Sequence, residues 1–358
     1  MKRILFLCPY PQGESPSQRF RFEQYFHLLD QNGFIYEIRS FLNPSDWIIL
    51  YKKGNSLLKI AAVLKGFFSR LKDVATAGKF DFIFIHREAS PIGPPIIEWM
   101  LKILMKKKII YDFDDAIWLS NTSEENKIIA SLKWNGKVKS ICRWSYKVSC
   151  GNSYLGDYAR NFNSSIVINP TTIDTEKLHN PKYNLAASNS PAIIGWTGSH
   201  STLPYLIPIL PIIDLLWQKY PQLQLVVIAD RDPDWKKPFI KFVQWNKETE
   251  IEELQKINIG IMPLTNDPWA KGKCGLKALQ YMSLGIPTLA SPIGVNRSII
   301  DTGINGYLCA DAKEWEARII ELISHPELCR RIGADARKKI VQNYSVESNS
   351  DNFLSLFS

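Results

Sequence analysis

Lys273 and Lys277 stand four residues apart, with Gln280 almost one turn further on, in a run that opens from a loop into a short helix. The spacing predicts that helix over 275–284, with Leu276, Leu279 and Met282 as its apolar face at three-residue steps. Gly285 is placed to end it in a left-handed cap, and Pro287 forbids its continuation. A helix amino terminus offers free N–H groups and the positive end of a dipole. Two ammonium groups added there make a site for a dense anion such as a diphosphate, with a solvated basic helix start as the alternative. A second group is Asp112, Asp114 and Asp115 in Tyr-Asp-Phe-Asp-Asp-Ala-Ile-Trp, 111–118. Three carboxylates in four residues at a buried strand end are costly unless paired, metal-bound or catalytic.

Smaller signals fall at other strand ends. Arg19 and Arg21 follow the first strand and offer two guanidinium groups to a phosphate, or to a surface ion pair; His86 and Arg87 close another strand. In 197–202, Gly198 lets the backbone approach a ligand, and Ser199 with Thr202 can cap the next helix while its N–H groups face phosphate. Asp230 ends the following strand, and Trp245 is placed either to border a nucleobase or to fill core.

These residues need a scaffold, and strands alternate with helices throughout. The first half reads as strands at 4–8, 34–40, 80–86, 109–111, 147–150 and 166–168, with helices at 18–30, 56–73, 94–105 and 154–161. The second half restarts with strands at 192–196, 225–229 and 242–245, a helix at 248–257, strands at 288–290 and 306–308, and helices from 311 to about 343. Such alternation implies parallel sheets with crossover helices, and ligands then sit at the carboxyl ends of the strands. The helix at 56–73 gathers Leu57, Ile60, Ala61, Leu64, Phe68 and Leu71 on one face, flanked by Lys65 and Lys72 and preceded by Lys52 and Lys53, with Lys59 and Arg70 opposite. It reads as a crossover helix docked on its own sheet, or as a helix lying in a membrane interface.

The chain has 358 residues, 45% of them hydrophobic, enough for two α/β domains. The amino-terminal apolar run is too short for a signal-peptide core and reads as the first strand. No run of about 18 uninterrupted apolar residues predicts a membrane span. Six scattered cysteines without a Cys-x2-Cys pair fit free thiols, and neither a zinc site nor a disulfide framework. Residues 1–170 carry 24 Lys+Arg against 15 Asp+Glu, whereas 171–358 carry 20 of each. The whole excess charge of +9 therefore sits in the first half, which points to an anionic neighbour there. No nucleic-acid reader motif is present, so nucleic acid ranks last among such partners.

The run 271–297 resembles the donor-binding segment of family 4 glycosyltransferases of the GT-B fold: loop, helix, Gly-x-Pro, strand, Ser and a small-residue turn. The family's usual Glu-x7-Glu is replaced here by Gly272 and Gln280, and Lys277 matches a branch with Lys three residues before the second acidic position. The segment 111–118 resembles that branch as well. The resemblance implies an α/β GT-B architecture, two Rossmann-like doubly wound domains facing across a cleft. The expected divisions are an acceptor domain at 1–183, a donor domain at 184–342 with its linker at 184–191, and a last helix at 343–358 crossing back to the first domain. It implies transfer of a sugar, with retention, from a nucleoside-diphosphate sugar to a lipid-linked or polysaccharide acceptor. No cofactor and no metal are expected. Gly198, Ser199, Asp230, Trp245, Lys273, Lys277, Gln280, Ser291, Gly294 and Val295 are assigned to the donor. Asp112, Asp114 and Lys277 are assigned to catalysis, and Arg19, Arg21, His86 and Arg87 to the acceptor side. The expected location is the cytoplasmic side of an anionic membrane. A sugar-nucleotide epimerase and a catalytically inactive sugar-nucleotide-binding protein remain as alternatives.

Overall fold

The computed structural model describes residues 1–51, 54–119, 134–181 and 192–358. The expected linker at 184–191 and the pair Lys52/Lys53 lie outside them. The chain divides into two compact units. One comprises Met1–Thr171 with Gly272–Cys274 and Asn349–Ser358; the other comprises Thr172–Lys271 with Gly275–Ser348. The division falls ahead of the expected 183/184. Ile173 bridges Ser345, its amide donating to the Tyr344 carbonyl at 2.8 Å and its carbonyl accepting from Val346 N at 3.1 Å, which ties this stretch to the second unit.

The first unit is built on strands β1 (Arg3–Cys8), β2 (Ile35–Ser40), β3 (Phe82–His86), β4 (Lys108–Phe113), β5 (Lys147–Cys150) and β6 (Ile166–Ile168). They lie in the order β2-β1-β3-β4-β5-β6, all parallel. A parallel sheet is covered on both faces, so its central strands are apolar nearly throughout. Ile4 to Cys8 and Ile83 to Ile85 are accordingly buried completely. Phe6 anchors the core: Phe22 stacks on it at 5.3 Å, and Phe84 and Phe357 also pack against it. The order reverses between β1 and β3, so the loops after these two strands flank the switch point where such sheets bind ligands.

The connections depart from the expected helices. The helix expected at 18–30 is broken into α1 (Pro16–Arg19), a 3-10 turn at Glu23–Tyr25 and α2 (Phe26–Gln31). A further helix, α3 (Pro44–Tyr51), precedes α4 (Ser56–Thr76). The helix α5 (Ile96–Trp99) continues as π-helical Met100–Leu104.

The largest correction concerns α4. Its docked side is Ala62, Gly66, Arg70, Asp73 and Val74, while the apolar stripe faces solvent. Arg70 is buried and donates to the Ala89 carbonyl at 2.7 Å, the Cys8 carbonyl at 2.8 Å and Asp73 Oδ2 at 2.7 Å. Cys8 ends β1 and Ala89 follows β3, so one guanidinium fastens both switch-point loops. Gly66 allows the close approach, because a Cβ there would stand 2.5 Å from the Phe41 ring.

The second unit has β7 (Ile193–Gly198), β8 (Gln224–Ala229), β9 (Ile240–Gln244), β10 (Ile259–Met262), β11 (Thr288–Ala290) and β12 (Tyr307–Leu308). Their order is β12-β11-β10-β7-β8-β9, again parallel, with the reversal between β7 and β10. The helix expected after β7 begins as a 3-10 segment, His200–Ile209, and becomes α-helical only at Leu210–Lys219. Pro204 and Pro208 lack the N–H that an α-helical ladder needs there. By length and composition alone His200–Lys219 would pass as a membrane span, although its apolar run is interrupted, as by Asp214. Its Leu206, Ile209, Ile213 and Leu216 lie in the core of this unit, which accounts for the apolar character of that side.

Arg70→Met should destabilise the protein by about 3–5 kcal/mol, because it leaves the buried Asp73 carboxylate without one of its guanidinium partners and two carbonyls without a donor. Urea unfolding checks this; a loss below about 1 kcal/mol would mean that the clamp is dispensable.

Candidate active site

In the first unit, strand register assembles the cluster. His86 on β3 lies opposite Asp112 on β4, and Asp112 lies opposite Ser149 on β5. Asp112 is wholly buried. One oxygen accepts from Arg21 Nη2 and from Ser149 Oγ at 2.6 Å; the other accepts from His86 Nδ1 at 2.8 Å and Arg21 Nε at 3.3 Å. Burial alone would raise the Asp112 carboxyl. The Arg21 guanidinium and the His86 bond outweigh it and hold the group well below the usual carboxylate range. Four donors occupy its lone pairs, so Asp112 positions Arg21 and His86 and has no oxygen left for a sugar hydroxyl. This corrects its assignment as a catalytic group. Arg21 is likewise spent inside the protein, with Asn169 O as a further acceptor, and does not reach an acceptor phosphate. His86 is buried as well, and its Nε2 has no hydrogen-bond partner.

Just past the end of β4, Asp114 and Asp115 meet Arg87, whose Nε and Nη2 donate to them at 2.7 Å each. Arg87 holds a left-handed backbone at φ 60, costly for a side chain of this size. Its amide donates to Asp112 O and its carbonyl accepts from the Tyr111 hydroxyl, each at 2.7 Å, which locks that conformation. Burial would raise Asp114, but Arg87 beside it lowers it overall. Lys273, counted with the first unit, lies 3.1 Å from Asp115 Oδ1. Its neighbours are close-fitted: Asn152 Nδ2 donates to the Gly272 carbonyl at 3.0 Å, and Cys274 Sγ donates to Asp114 O at 3.1 Å. Arg19 lies over the Phe20 ring at 5.0 Å. Three carboxylates are thus met by two guanidinium groups and an ammonium.

In the second unit the helix Leu276–Ser283 follows β10, beside the sheet's switch point. Gly275 precedes it at φ 74 and Gly285 closes it at φ 74. The helix is buried on more than the expected face, because Ala278, Gln280, Tyr281 and Ser283 are enclosed together with Leu279 and Met282. Tyr281 reaches β7, where its hydroxyl accepts the Thr197 amide at 2.7 Å. Lys277, on the first turn, carries its ammonium over the Trp196 ring at 5.3 Å, near the carboxyl end of β7.

Other donor-side residues are placed differently from expectation. Gln280 is buried and donates to Glu250 Oε1 at 3.1 Å; Trp245 Nε1 donates to the same oxygen at 3.2 Å. Ser199 makes no side-chain cap, pairing instead with Ser201 at 2.8 Å. The amide next to it, His200 N, is met by Asp230 Oδ1 at 2.5 Å, and the His200 ring lies 2.7 Å from Oδ2. Gly198 is required by its own surroundings, since a Cβ would stand 2.6 Å from Trp196. Ser291 Oγ accepts the Leu264 amide at 2.9 Å. Gly294, at φ 53, lies so close to Lys271 that a Cβ would meet its carbonyl at 2.8 Å, and Val295 follows it half-buried. Sequence reasoning missed Ser149, Tyr281 and Glu250. Ser149 is visible only through strand register, and Glu250 carried no local signal.

Two Rossmann-like units with parallel six-stranded sheets define the GT-B architecture. Solved structures agree on that fold. Sucrose-phosphate synthase from Thermosynechococcus elongatus superposes with a TM-score of 0.70 at 14% identity, covering 100% of this chain and 98% of that one. HepE from Anabaena, in complex with UDP and glucose, gives 0.66 at 14% identity over 100% and 99%. Residues 192–325 match the family model for glycosyl transferases group 1. Spore coat protein SA of Bacillus subtilis is 27% identical over 126 residues, 34% of this chain. The chain spans less than half the length of the curated relatives it matches, 32% for this one. The solved structures show the GT-B fold, and within the second unit residues 192–325 are similar to group 1 glycosyl transferases.

Asp112→Asn should cost about 3–5 kcal/mol at neutral pH, because it strands a buried guanidinium. The depressed carboxyl contributes fully above the unfolded value of about 4 and loses that contribution as pH falls towards the folded one. The stability gap between wild type and variant should therefore narrow below about pH 4 in urea titrations. Lost turnover at unchanged stability would return Asp112 to the catalytic group.

Proposed function

We propose that this protein transfers a sugar from a nucleoside-diphosphate sugar to a lipid-linked or glycan acceptor, with retention and without a metal, at the cytoplasmic face of an anionic membrane. One observation carries the donor assignment: Lys277 stands on the first turn of the helix at the second sheet's switch point, its ammonium held over Trp196 at the end of β7. There the helix dipole and the ammonium act together on a diphosphate. Charge growing on the leaving group is offset by that field, usually the largest electrostatic contribution in such a site. HepE was solved with UDP and with UDP-glucose, which makes UDP-glucose the first donor to test. On the acceptor side, His86, braced by Asp112, and Arg87, locked at positive φ, are polar groups at the carboxyl end of β3.

A second reading, sugar-nucleotide binding without transfer, draws on Gln280, which occupies the place of a family glutamate and is committed to Glu250.

Lys277→Ala should lower kcat/KM roughly tenfold to a hundredfold, as expected from a charge-assisted bond of about 1.5–3 kcal/mol. Lys277→Met, which keeps the stem, should lose nearly as much. Calorimetry with UDP alone should show the same loss of affinity. Unchanged UDP affinity in both variants would place the diphosphate elsewhere, and full UDP-glucose binding with no product on any acceptor would favour the second reading.

A further inference from the structure

The outward side of α4 is the apolar one. Leu57, Ile60, Leu64, Phe68 and Leu71 recur at three- and four-residue steps, and Leu57 is 83%, Leu64 54% and Phe68 66% exposed. The neighbouring α5 and its π-helical continuation repeat the arrangement. Ile97, Glu98 and Leu101 face inward, while Ile96, Trp99, Ile103 and Leu104 are exposed. Isolated exposed apolar residues need no explanation; stripes on two adjacent helices do.

Charge indicates what covers them. Segments 56–79 and 96–108 contain eight lysines and two carboxylates, Asp73 and Glu98, both of which are buried. Lys65 and Lys72 border the α4 stripe, Lys65 lying 3.4 Å from Asp46. Where the two helical segments end, Lys79, Lys106, Lys107 and Lys108 join Lys2 and Asp81 around a depression of about 340 Å³. Two copies meeting through this face would bring lysine fringes together with no exposed carboxylate on these segments to pair them. An anionic bilayer supplies that charge and takes up the aliphatic stripe.

We propose that α4 and residues 96–104 form a surface that inserts into the headgroup region of an anionic bilayer. Leu57, Leu64, Phe68 and Trp99 reach the acyl boundary, and Lys65, Lys72 and the lysines of the depression lie over lipid phosphates. The inference rests on the reading of the acceptor as membrane-borne and identifies the face that meets the lipid.

The test uses the full chain, without sugar nucleotide, sedimented with vesicles of phosphatidylcholine alone or mixed with phosphatidylglycerol. The wild type should pellet with the mixed vesicles and be released by added salt. Leu64→Ser with Phe68→Ser, and Lys65→Glu with Lys72→Glu, should each weaken partition at least about tenfold. The Leu64/Phe68 variant should keep its unfolding midpoint, because those side chains are exposed. Lys65→Glu, by contrast, sets a second carboxylate beside Asp46, so partition of the Lys65/Lys72 variant is read at a temperature where its midpoint shows it folded. Arg70 is unsuitable for charge reversal because it is a buried clamp. Equal partition on both vesicle types, or no loss in either variant, overturns the proposal. So does a wild-type dimer in light scattering that the Leu64/Phe68 variant converts to monomer, which would assign the face to a second copy. UDP affinity measured without vesicles reports on the donor site separately, so a chain that binds lipid but no nucleotide contradicts the proposed function and leaves this surface standing.

Discussion

The buried Arg70 guanidinium is the constraint on which the first unit depends. A charge removed from water must find partners for all its donors, and here the partners are the Cys8 carbonyl, the Ala89 carbonyl and Asp73. Meeting that demand turns the polar side of α4 inward. It also fixes the separation of the two loops that follow β1 and β3, around which the polar residues of this unit gather. Asp73 carries the restraint on to Arg39 at the end of β2.

The same logic governs the carboxylates of 111–118. Each is offset by a cation within reach, and the offset decides the role. Asp112, enclosed by Arg21, His86 and Ser149, is a rigid brace, whereas Asp114 and Asp115 sit nearer the surface in an exchangeable network with Arg87 and Lys273. Low local polarity strengthens the inner pair and stiffens what it holds. The second unit uses neutral groups for the same end: Tyr281 pins β7 to the helix that carries Lys277, and Glu250 gathers Gln280 and Trp245.

Much of the fold was legible because it is local. Apolar runs of strand length, Gly285 and Pro287 after a helical pattern, and the alternation of elements all speak within a few residues of themselves. Pro204 and Pro208 also announce a broken helix within 200–219. What was not legible is pairing across distance: nothing in the order of residues says that His86, Asp112 and Ser149 share one register level. Periodicity misled at α4 because a strong apolar stripe was weighed as a docking face, and the Arg70–Asp73 pair, three residues apart on the other side, was the contrary signal. At Gln280 the helix start was read correctly, but burial had already committed the side chain to Glu250.

Since α4 is docked by Gly66, Arg70 and Asp73, its outer residues are released from any duty to the fold. Substitutions along that stripe leave the core packing untouched, so selection can act on them for the surroundings alone. The face can change in charge and apolar character while the interior stays fixed. What α4 shows to its surroundings and what it gives to the fold are, in this chain, written in separate sets of residues on one helix.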